Sequence, residues 1–190
     1  RESCVAAVEE AVEAHGRLDV LANIAGVSWS EHVADTTEES WDRMLGINVS
    51  GVFWCCQAAI PHLIATNGNI VNIASNAGLM GQAYTVPYCA TKGAVVNMTR
   101  AMALEVAPDG RVNTVCPGYV DTDMIRRDSI DKSNDPTAAE QRMIEYAPLK
   151  RIAMPAESSQ SVLYLASSEA RFVTGAALAI DGGSTAGRWV

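Results

Sequence analysis

The stretch Asn69-Ile70-Val71-Asn72-Ile73-Ala74-Ser75 decides the fold of this 190-residue chain. It is a short, mostly apolar run that follows a Thr66-Asn67-Gly68 turn, which is typical of a buried strand. Similar runs recur at 18–23, 111–116 and 176–180, with segments of helical pattern between them. Alternating strands and helices predict an α/β fold, with a doubly wound parallel sheet that helices cover on both faces.

The helices are predicted from apolar periodicity and from the residues at their ends. A capping box, Thr36-Thr37-Glu38-Glu39, opens one of them, and Gly16 ends another. A proline is tolerated in the first turn of a helix, as at Pro87. We expect a single domain over residues 1–190, with helices over 1–15, 36–45, 49–65, 85–107, 137–146 and 155–167.

Three polar residues stand out around the strand that ends at Ser75. Tyr88 and Lys92 follow on the next predicted helix, where positions i and i+4 lie side by side. A free tyrosine has a pKa of about 10, and exchanging protons near neutrality requires a fall of roughly 2–3 units, or about 3–4 kcal/mol. An ammonium about 5 Å away contributes about 3 kcal/mol at an effective dielectric constant of ~20. The pattern predicts an acid–base tyrosine for carbonyl or alcohol chemistry.

The order of these residues resembles the short-chain dehydrogenase/reductase family, over nearly the whole chain. Leu21-Ala22-Asn23-Ile24-Ala25-Gly26 is similar to the family's Asn-Asn-Ala-Gly segment, with Ile24 in place of the second asparagine. Pro117-Gly118 followed by Thr122, and Asp181-Gly182-Gly183 near the C-terminus, are similar to two further family segments. The resemblance implies a Rossmann-type fold and a hydride transfer between NAD or NADP and a secondary alcohol or ketone.

The resemblance also implies catalytic roles. The family's catalytic positions fall on Asn48, Ser75, Tyr88 and Lys92. Tyr88 would be the general acid/base, and Ser75 would orient and stabilise the reacting oxygen. Lys92 would lower the pKa of Tyr88 and hold the nicotinamide ribose, while Asn48 would support a water-borne proton path. An ordinary role for Asn48, as the cap of a helix break, stays open as an alternative.

The family's cofactor contacts carry over to a further set of residues. Thr122 and the Pro117–Gly118 backbone would hold the nicotinamide carboxamide, and Asn23 and Gly26 would lie under the adenosine ribose. A helix N-cap at Thr122 and a turn at Gly26 remain the alternative roles. The expected cofactor-binding residues are Asn23, Ala25, Gly26, Tyr88, Lys92, Pro117, Gly118, Val120 and Thr122.

The resemblance also points to a segment that this sequence lacks. The family begins with a strand, a glycine-rich turn and a helix that bind the pyrophosphate, and no such turn precedes Asn23. At roughly 30 residues per βαβ unit, about two units are missing, so we expect the N-terminal βαβαβ portion to be absent. We also expect the strand over 18–23 to be an edge strand and the chain alone to bind dinucleotide poorly.

The composition indicates which kinds of partner and which cellular compartment to expect. The chain carries 22 acidic against 14 basic residues, and this net charge of −8 argues against nucleic acid or an anionic membrane as partner. Its five cysteines lack Cys-x-x-Cys spacing and are expected to be buried thiols in a reducing, cytoplasmic compartment. The three histidines lack the spacing of metal ligands. We expect neither a metal site nor a segment long enough to span a bilayer.

A run of 48 residues, from Met44 to Thr91, contains no Asp, Glu, Lys or Arg. Such a segment cannot face much water, and a helix that is apolar all round is a buried helix. The helix over 49–63 therefore either lies wholly inside the core or contacts a second subunit. The family resemblance favours a subunit interface, so we expect a homodimer or a homotetramer.

The polar stretch after Pro117 is long for a connection. A solvated loop explains residues 123–135, but the length and the family resemblance favour a substrate lid over 121–150. The apolar bias of the expected pocket suggests a mid-sized, partly hydrophobic alcohol or ketone, such as a cyclic one. The residues expected to line that pocket are Ser28, Trp29, Asn76, Leu79, Met80 and Tyr84.

Two alternatives to an enzyme remain open at this stage. A non-catalytic relative, kept as an assembly or interaction subunit, fits the missing phosphate-binding turn but not the retained Ser75, Tyr88 and Lys92. A partial sequence without the dinucleotide-binding half would have no independent role. The retained residues favour an NAD(P)-dependent oxidoreductase with a small-molecule substrate.

Overall fold

A central sheet of four parallel strands organises the chain, and the computed structural model describes residues 1–187. The strands are β1 (Val20–Asn23), β2 (Asn69–Ile73), β3 (Arg111–Pro117) and β4 (Ala177–Ile180). They lie in the order β1-β2-β3-β4, and each neighbouring pair is parallel. The carboxyl ends of all four strands therefore meet at one edge of the sheet, where parallel α/β folds place their sites.

Helices alternate with these strands, as the sequence predicts. A π-helical turn, Gly46–Gly51, joins two of the helices, and a second one, Arg126–Ile130, follows another. A short 3₁₀ turn, Asn76–Gly78, follows β2. The helices are α1 (Glu2–His15), α2 (Glu38–Leu45), α3 (Val52–Ile64), α4 (Val86–Val106), α5 (Asp123–Ile125), α6 (Pro136–Tyr146) and α7 (Pro155–Ala166).

The core has two parts, one on each face of the sheet. On one face, Ile70 and Val112 pack with buried residues of α1, α3 and α4. On the other face, Val71 and Val115 pack with Leu165 of α7. Neighbouring positions 70 and 71 point to opposite faces because side chains alternate along a strand. The predicted parallel sheet with helices on both faces is confirmed.

Three local predictions differ from the structure. The chain has no helix break at Asn48, because the π turn continues α2 directly into α3. The cap of α2 is Thr37, whose hydroxyl accepts a hydrogen bond of 3.1 Å from the Ser40 amide, so the capping box with Glu39 is wrong. Residues 123–130 form helical turns rather than an open loop.

The joined helix Glu38–Ile64 has 27 residues and is, by length and composition alone, apolar enough to cross a membrane. The expectation of no segment of that length is therefore corrected. Core helices of soluble domains pass the same test, and this one contributes Cys56, Ala59 and Leu63 to the core beside the sheet. Only 28% of its most apolar window is buried, however, so much of the helix surface faces outward.

The cysteines and strand β1 agree only in part with the sequence-based predictions. All five cysteines are free, but only Cys56 and Cys116 are buried, so the expectation of five buried thiols is wrong for the other three. Strand β1 pairs with β2 alone and lies at one edge of the described sheet. It begins at Val20, two residues later than predicted.

Candidate active site

A cleft of about 1010 Å³ opens at the carboxyl edge of the sheet. Its floor is built from residues within three positions of a strand end: Gly26 after β1, Ser75 after β2 and Gly118 after β3. Helix α4 forms one wall, with Tyr88 and Lys92. Ser75, Tyr88 and Lys92 are therefore gathered in one cavity, whereas Asn48 is not among the residues that line it.

Ser75 lies two residues after the end of β2, not at the strand end as predicted, and caps the turn Asn76–Gly78. Its hydroxyl accepts a hydrogen bond of 3.1 Å from the Ala77 amide and donates one of 3.2 Å to Asn76 Oδ1. The turn then passes so close to α4 that a Cβ atom on Gly78 would lie 2.7 Å from the Lys92 carbonyl group. Glycine at this position lets the serine loop pack directly against the helix that carries the tyrosine and the lysine.

Lys92 is buried in the α4 wall of the cleft, and its ammonium group makes a hydrogen bond there. Its Nζ atom donates a bond of 2.9 Å to the Ile73 backbone oxygen and lies 5.6 Å from the centre of the Tyr88 ring. Burial lowers the pKa of Lys92 to about 8, because a charged ammonium is poorly stabilised away from water. The lysine remains mostly protonated at pH 7.

Tyr88 departs from the sequence-based expectation. Burial raises the pKa of its phenol above the ordinary value of 10.0, and a hydrogen bond with Ser75 lowers it by less. The prediction that Lys92 brings the pKa of Tyr88 toward neutrality is therefore wrong for the protein by itself. At neutral pH the phenol keeps its proton, which suits a donor to a carbonyl oxygen.

Asn48 joins two of the segments that form the cleft through its side-chain hydrogen bonds. Its side-chain oxygen accepts a hydrogen bond of 2.9 Å from the Val27 amide, and its Nδ2 donates bonds of 2.9 Å to the Val27 oxygen and 3.2 Å to Thr91 Oγ1. Asn48 thus ties the loop after β1 to α4, next to Lys92. It sits in the π turn Gly46–Gly51, a local distortion that is frequent at functional sites.

A second wall of the cleft comes from the segment after β3. Four residues of α6 at positions i, i+3, i+4 and i+7 lie on one helix face and line the cavity: Ala139, Arg142, Met143 and Tyr146. The Tyr146 hydroxyl accepts a hydrogen bond of 3.2 Å from Gln82 Nε2, and the same amide group donates one of 3.2 Å to Asn76 Oδ1. The wall is therefore linked to the serine loop.

Comparisons with known proteins give the family. A family model described as enoyl-(acyl carrier protein) reductase matches residues 1–185. The chain is 43% identical over 180 residues to the meso-2,3-butanediol dehydrogenase of Serratia marcescens, a match that covers 94% of the chain and 69% of that protein. The chain belongs to the short-chain dehydrogenase/reductase family.

Solved structures share the fold. The ligand-free aldohexose dehydrogenase of Thermoplasma acidophilum has a TM-score of 0.93 at 29% identity, covering 100% of this chain and 76% of that one. ElxO with NADP bound has a TM-score of 0.90 at 31% identity, covering 98% of this chain and 75% of ElxO. The expected Rossmann-type fold is confirmed. The expected absence of an N-terminal βαβαβ portion is not supported, since the described chain begins with α1 and builds a four-stranded sheet.

The structure brings most of the cofactor positions expected for this family to the cleft, but not all. The Asn23 amide is used inside the fold, where it donates hydrogen bonds of 2.8 Å to Asn72 Oδ1 and 3.2 Å to Cys56 Sγ. Ala25 is not among the cleft-lining residues. The Thr122 hydroxyl makes no cap bond and donates to the Val120 oxygen instead. The positions that do line the cleft are Gly26, Tyr88, Lys92, Pro117, Gly118, Val120 and Thr122.

Some of the residues expected to line the substrate pocket lie at the cleft, and others do not. Ser28, Trp29 and Asn76 line the cleft, and the Trp29 indole is fixed by a hydrogen bond of 2.8 Å to Ser40 Oγ. Leu79, Met80 and Tyr84 do not line it. Tyr84 is 62% exposed at a turn with a φ of 63°, so its side chain leaves the cavity. The sequence places these three in the pocket because they are apolar and follow Ser75. Within a turning loop, however, neither property determines which side chains face the cavity.

Several residues of the cleft carry no family motif in the sequence. Gln82, Tyr119, Arg142 and Tyr146 all line it, and none of them is singled out individually by the sequence, although the predicted lid over 121–150 includes the last two. For the two on α6, the spacing of four residues on a predicted helix was a usable signal. Gln82 and Tyr119 had no such signal, because loop direction decides their placement.

The residues of the cleft fit a nicotinamide dinucleotide. An ammonium group has three donors, and Lys92 uses one of them on the Ile73 oxygen while lining the open cavity. The others match the hydroxyl groups of a ribose. A Cβ atom on Gly26 would lie 3.4 Å from Lys92 Nζ and 3.2 Å from Asn48 Oδ1, so glycine keeps the loop after β1 close to both.

Proposed function

We propose that this protein is an NAD(P)-dependent oxidoreductase that transfers a hydride between a nicotinamide cofactor and a secondary alcohol or ketone. The observation that carries the proposal is the meeting of Ser75, Tyr88 and Lys92 in one cleft of a short-chain dehydrogenase/reductase fold. Family membership supports the reaction class, and the Serratia relative is named for a diol whose two hydroxyl groups are secondary.

The cofactor is NAD or NADP. ElxO, which shares this fold, binds NADP, and Lys92, Gly118 and Thr122 are placed to hold the nicotinamide half of such a molecule. When bound, the dinucleotide supplies the two-electron acceptor or donor.

The chain's own residues handle the substrate oxygen and its proton. Ser75 orients the oxygen: its hydroxyl, which donates a hydrogen bond to Asn76 Oδ1, turns to the substrate oxygen when substrate binds. Tyr88 gives its proton to a carbonyl oxygen in reduction, or takes one from an alcohol in oxidation. Lys92, mostly protonated at pH 7, has N–H donors to spare beside Tyr88 and is placed to hold a ribose hydroxyl of the cofactor.

Two further features of the family are proposed for this chain. The segment over 121–150, which lines the cleft through α5 and α6, acts as a substrate lid. The outward surface of Glu38–Ile64 forms a subunit interface of a homodimer or homotetramer, since this helix is apolar yet incompletely buried. Size-exclusion chromatography with light scattering decides the second point, and a stable monomer would contradict it.

Steady-state assays test the reaction. Purified full-length protein is incubated with NAD⁺ or NADP⁺ and a panel of secondary alcohols that includes meso-2,3-butanediol and cyclohexanol, and reduced cofactor is followed by absorbance. Turnover of at least one alcohol with one cofactor is expected. Well-folded protein without turnover of any alcohol, or of any corresponding ketone with NADH or NADPH, would contradict the proposal and favour a non-catalytic role.

A further inference from the structure

The charges that line the cleft differ from those of the chain as a whole. The protein has a net charge of −8, but three cations and a single carboxylate line the cavity. The cations are Lys92, Lys132 and Arg142, and the carboxylate is Asp128. A cleft with excess positive charge in an acidic protein concentrates anions in preference to neutral or cationic ligands.

Two of these cations already have a role within the protein. Lys132 donates a hydrogen bond of 2.8 Å to Asp128, so this pair contributes little net charge. Lys92 binds the Ile73 oxygen on the cleft floor and serves the catalytic chemistry. The excess charge of the outer cleft therefore rests on Arg142.

Arg142 is an exposed residue of α6, and its guanidinium makes no hydrogen bond or ion pair within residues 1–187. Several acidic side chains of the segment 121–150 are engaged elsewhere: Asp121 and Glu140 bind Arg126, and Asp123 binds Arg127. Glu145, three positions further along α6, accepts a hydrogen bond of 2.9 Å from Gln141. A guanidinium that lines a cavity and lacks a partner offers a planar set of donors matched to a carboxylate or similar anion.

The surroundings of Arg142 indicate what lies between this cation and the reacting centre. Its neighbours on the cleft-lining face of α6 are Ala139, Met143 and Tyr146, and the cavity is further lined by Trp29, Met124, Ile125 and Val162. The cleft thus has a polar catalytic floor, apolar walls and a cation on its lid segment. A ligand that matches all three has an oxidisable carbon, an apolar spacer and an anionic group.

We propose that the substrate is a hydroxy acid or keto acid whose carboxylate, or a comparable anion, is bound by Arg142 on the lid. The inference rests on the proposed oxidoreductase function and narrows its substrate class. Arg142 is a specificity-determining residue: it selects the charged end of the substrate, while Ser75 and Tyr88 act on the oxygen at the other end.

The test compares matched acids and amides. Full-length protein is assayed with 3-hydroxybutanoate, 5-hydroxyhexanoate and 7-hydroxyoctanoate, and with the three corresponding carboxamides, which keep the shape and lose the charge. At least one acid is expected to have a kcat/KM about tenfold above that of its amide, a difference of ~1.4 kcal/mol. In Arg142→Gln this preference is expected to disappear, mainly through a higher KM for the acid, and in Arg142→Lys to return in part.

Two controls separate the outcomes. Arg171→Gln removes the same charge from an exposed position outside the cleft, and its acid-to-amide ratio is expected to match that of the wild type. The affinity of Arg142→Gln for NADH and NADPH, measured by fluorescence titration, is expected to stay within twofold of wild type, because the arginine is assigned to substrate and not to cofactor.

The two proposals fail in different ways. Equal kcat/KM for acids and amides, or an equal loss for both in Arg142→Gln, would overturn the assignment of an anionic substrate and leave the oxidoreductase function intact. Weakened dinucleotide binding in Arg142→Gln would overturn it in favour of a cofactor contact. Lack of turnover for acids, amides and neutral alcohols alike would overturn both.

Discussion

The Gln82 side-chain amide donates a hydrogen bond of 3.2 Å to the Tyr146 hydroxyl, and this bond joins the loop that follows Ser75 to the last turn of α6. The same amide reaches Asn76 Oδ1, which also accepts from Ser75 Oγ. A continuous chain of hydrogen bonds therefore runs from the serine to the lid. Asn76 in turn donates to Ser184 Oγ at 3.1 Å, within the turn that follows Asp181. The position of Ser75 is thus supported from two sides.

Replacing Gln82 by Leu is expected to loosen the lid. A hydrogen bond between neutral groups contributes roughly 0.5–1.5 kcal/mol, so the KM for substrate should rise about two- to tenfold while kcat changes less. Gln141→Leu is the matched control. Gln141 lies on α6, as Tyr146 does, but its side chain binds only Glu145. Equal effects of the two variants on KM would contradict the coupling between loop and lid.

Gly78→Ala is expected to disturb the active site through packing. The added Cβ would lie 2.7 Å from the Lys92 carbonyl atoms, which belong to helix backbone and cannot turn away. Overpacking of this kind costs typically 1–3 kcal/mol, and the shift of the serine loop should lower kcat as well. Gly81→Ala is the control in the same loop, since nothing lies within 4 Å of the added atom. Urea denaturation and steady-state kinetics measure both effects, and a neutral Gly78→Ala variant would contradict the close approach.

The buried ammonium of Lys92 makes stability depend on pH. Its pKa falls from 10.5 to about 8 through burial, so between these values the unfolded chain binds the extra proton and stability rises with pH. The free energy of unfolding of the wild type, relative to Lys92→Met, should therefore increase by about 3 kcal/mol from pH 7 to above pH 10. Groups that Lys92 does not influence cancel in this comparison, and Cys116, whose pKa Lys92 lowers, is changed to Ala in both proteins so that it does not contribute. A difference that stays constant or decreases over this range would contradict the buried, destabilised charge.

The parts of the fold that the sequence predicted correctly are those in which the local hydrophobic pattern matches the residues that are buried. The apolar run 69–75 contains β2, which ends at Ile73, and the four-residue spacing of Tyr88 and Lys92 placed both on one face of α4. Family motifs then located Ser75, Gly118 and Val120 at the cleft, because these positions are tied to strand ends. Strand ends are set by the hydrophobic pattern and need no tertiary information.

What the sequence could not predict depends on contacts between distant segments. The amide of Asn23 binds Asn72 on the neighbouring strand, a pairing that only the sheet register reveals. Helix α2 continues past Asn48 because that side chain is held by Val27 and Thr91 within a π turn, so no cap is required. The raised pKa of Tyr88 follows from burial, which a spacing argument does not measure.

The central claim is that the Tyr88 phenol is the proton donor and acceptor of the reaction. The most direct measurement is the turnover rate of Tyr88→Phe, with Tyr119→Phe as control, since Tyr119 lines the same cleft and also has a raised pKa through burial. Loss of a general acid/base lowers rates by about 10²–10⁴-fold, so Tyr88→Phe should lose nearly all activity with an unchanged unfolding midpoint, while Tyr119→Phe keeps most of it. A Tyr88→Phe variant that retains more than about a tenth of the wild-type rate, a loss well short of that range, would contradict the account.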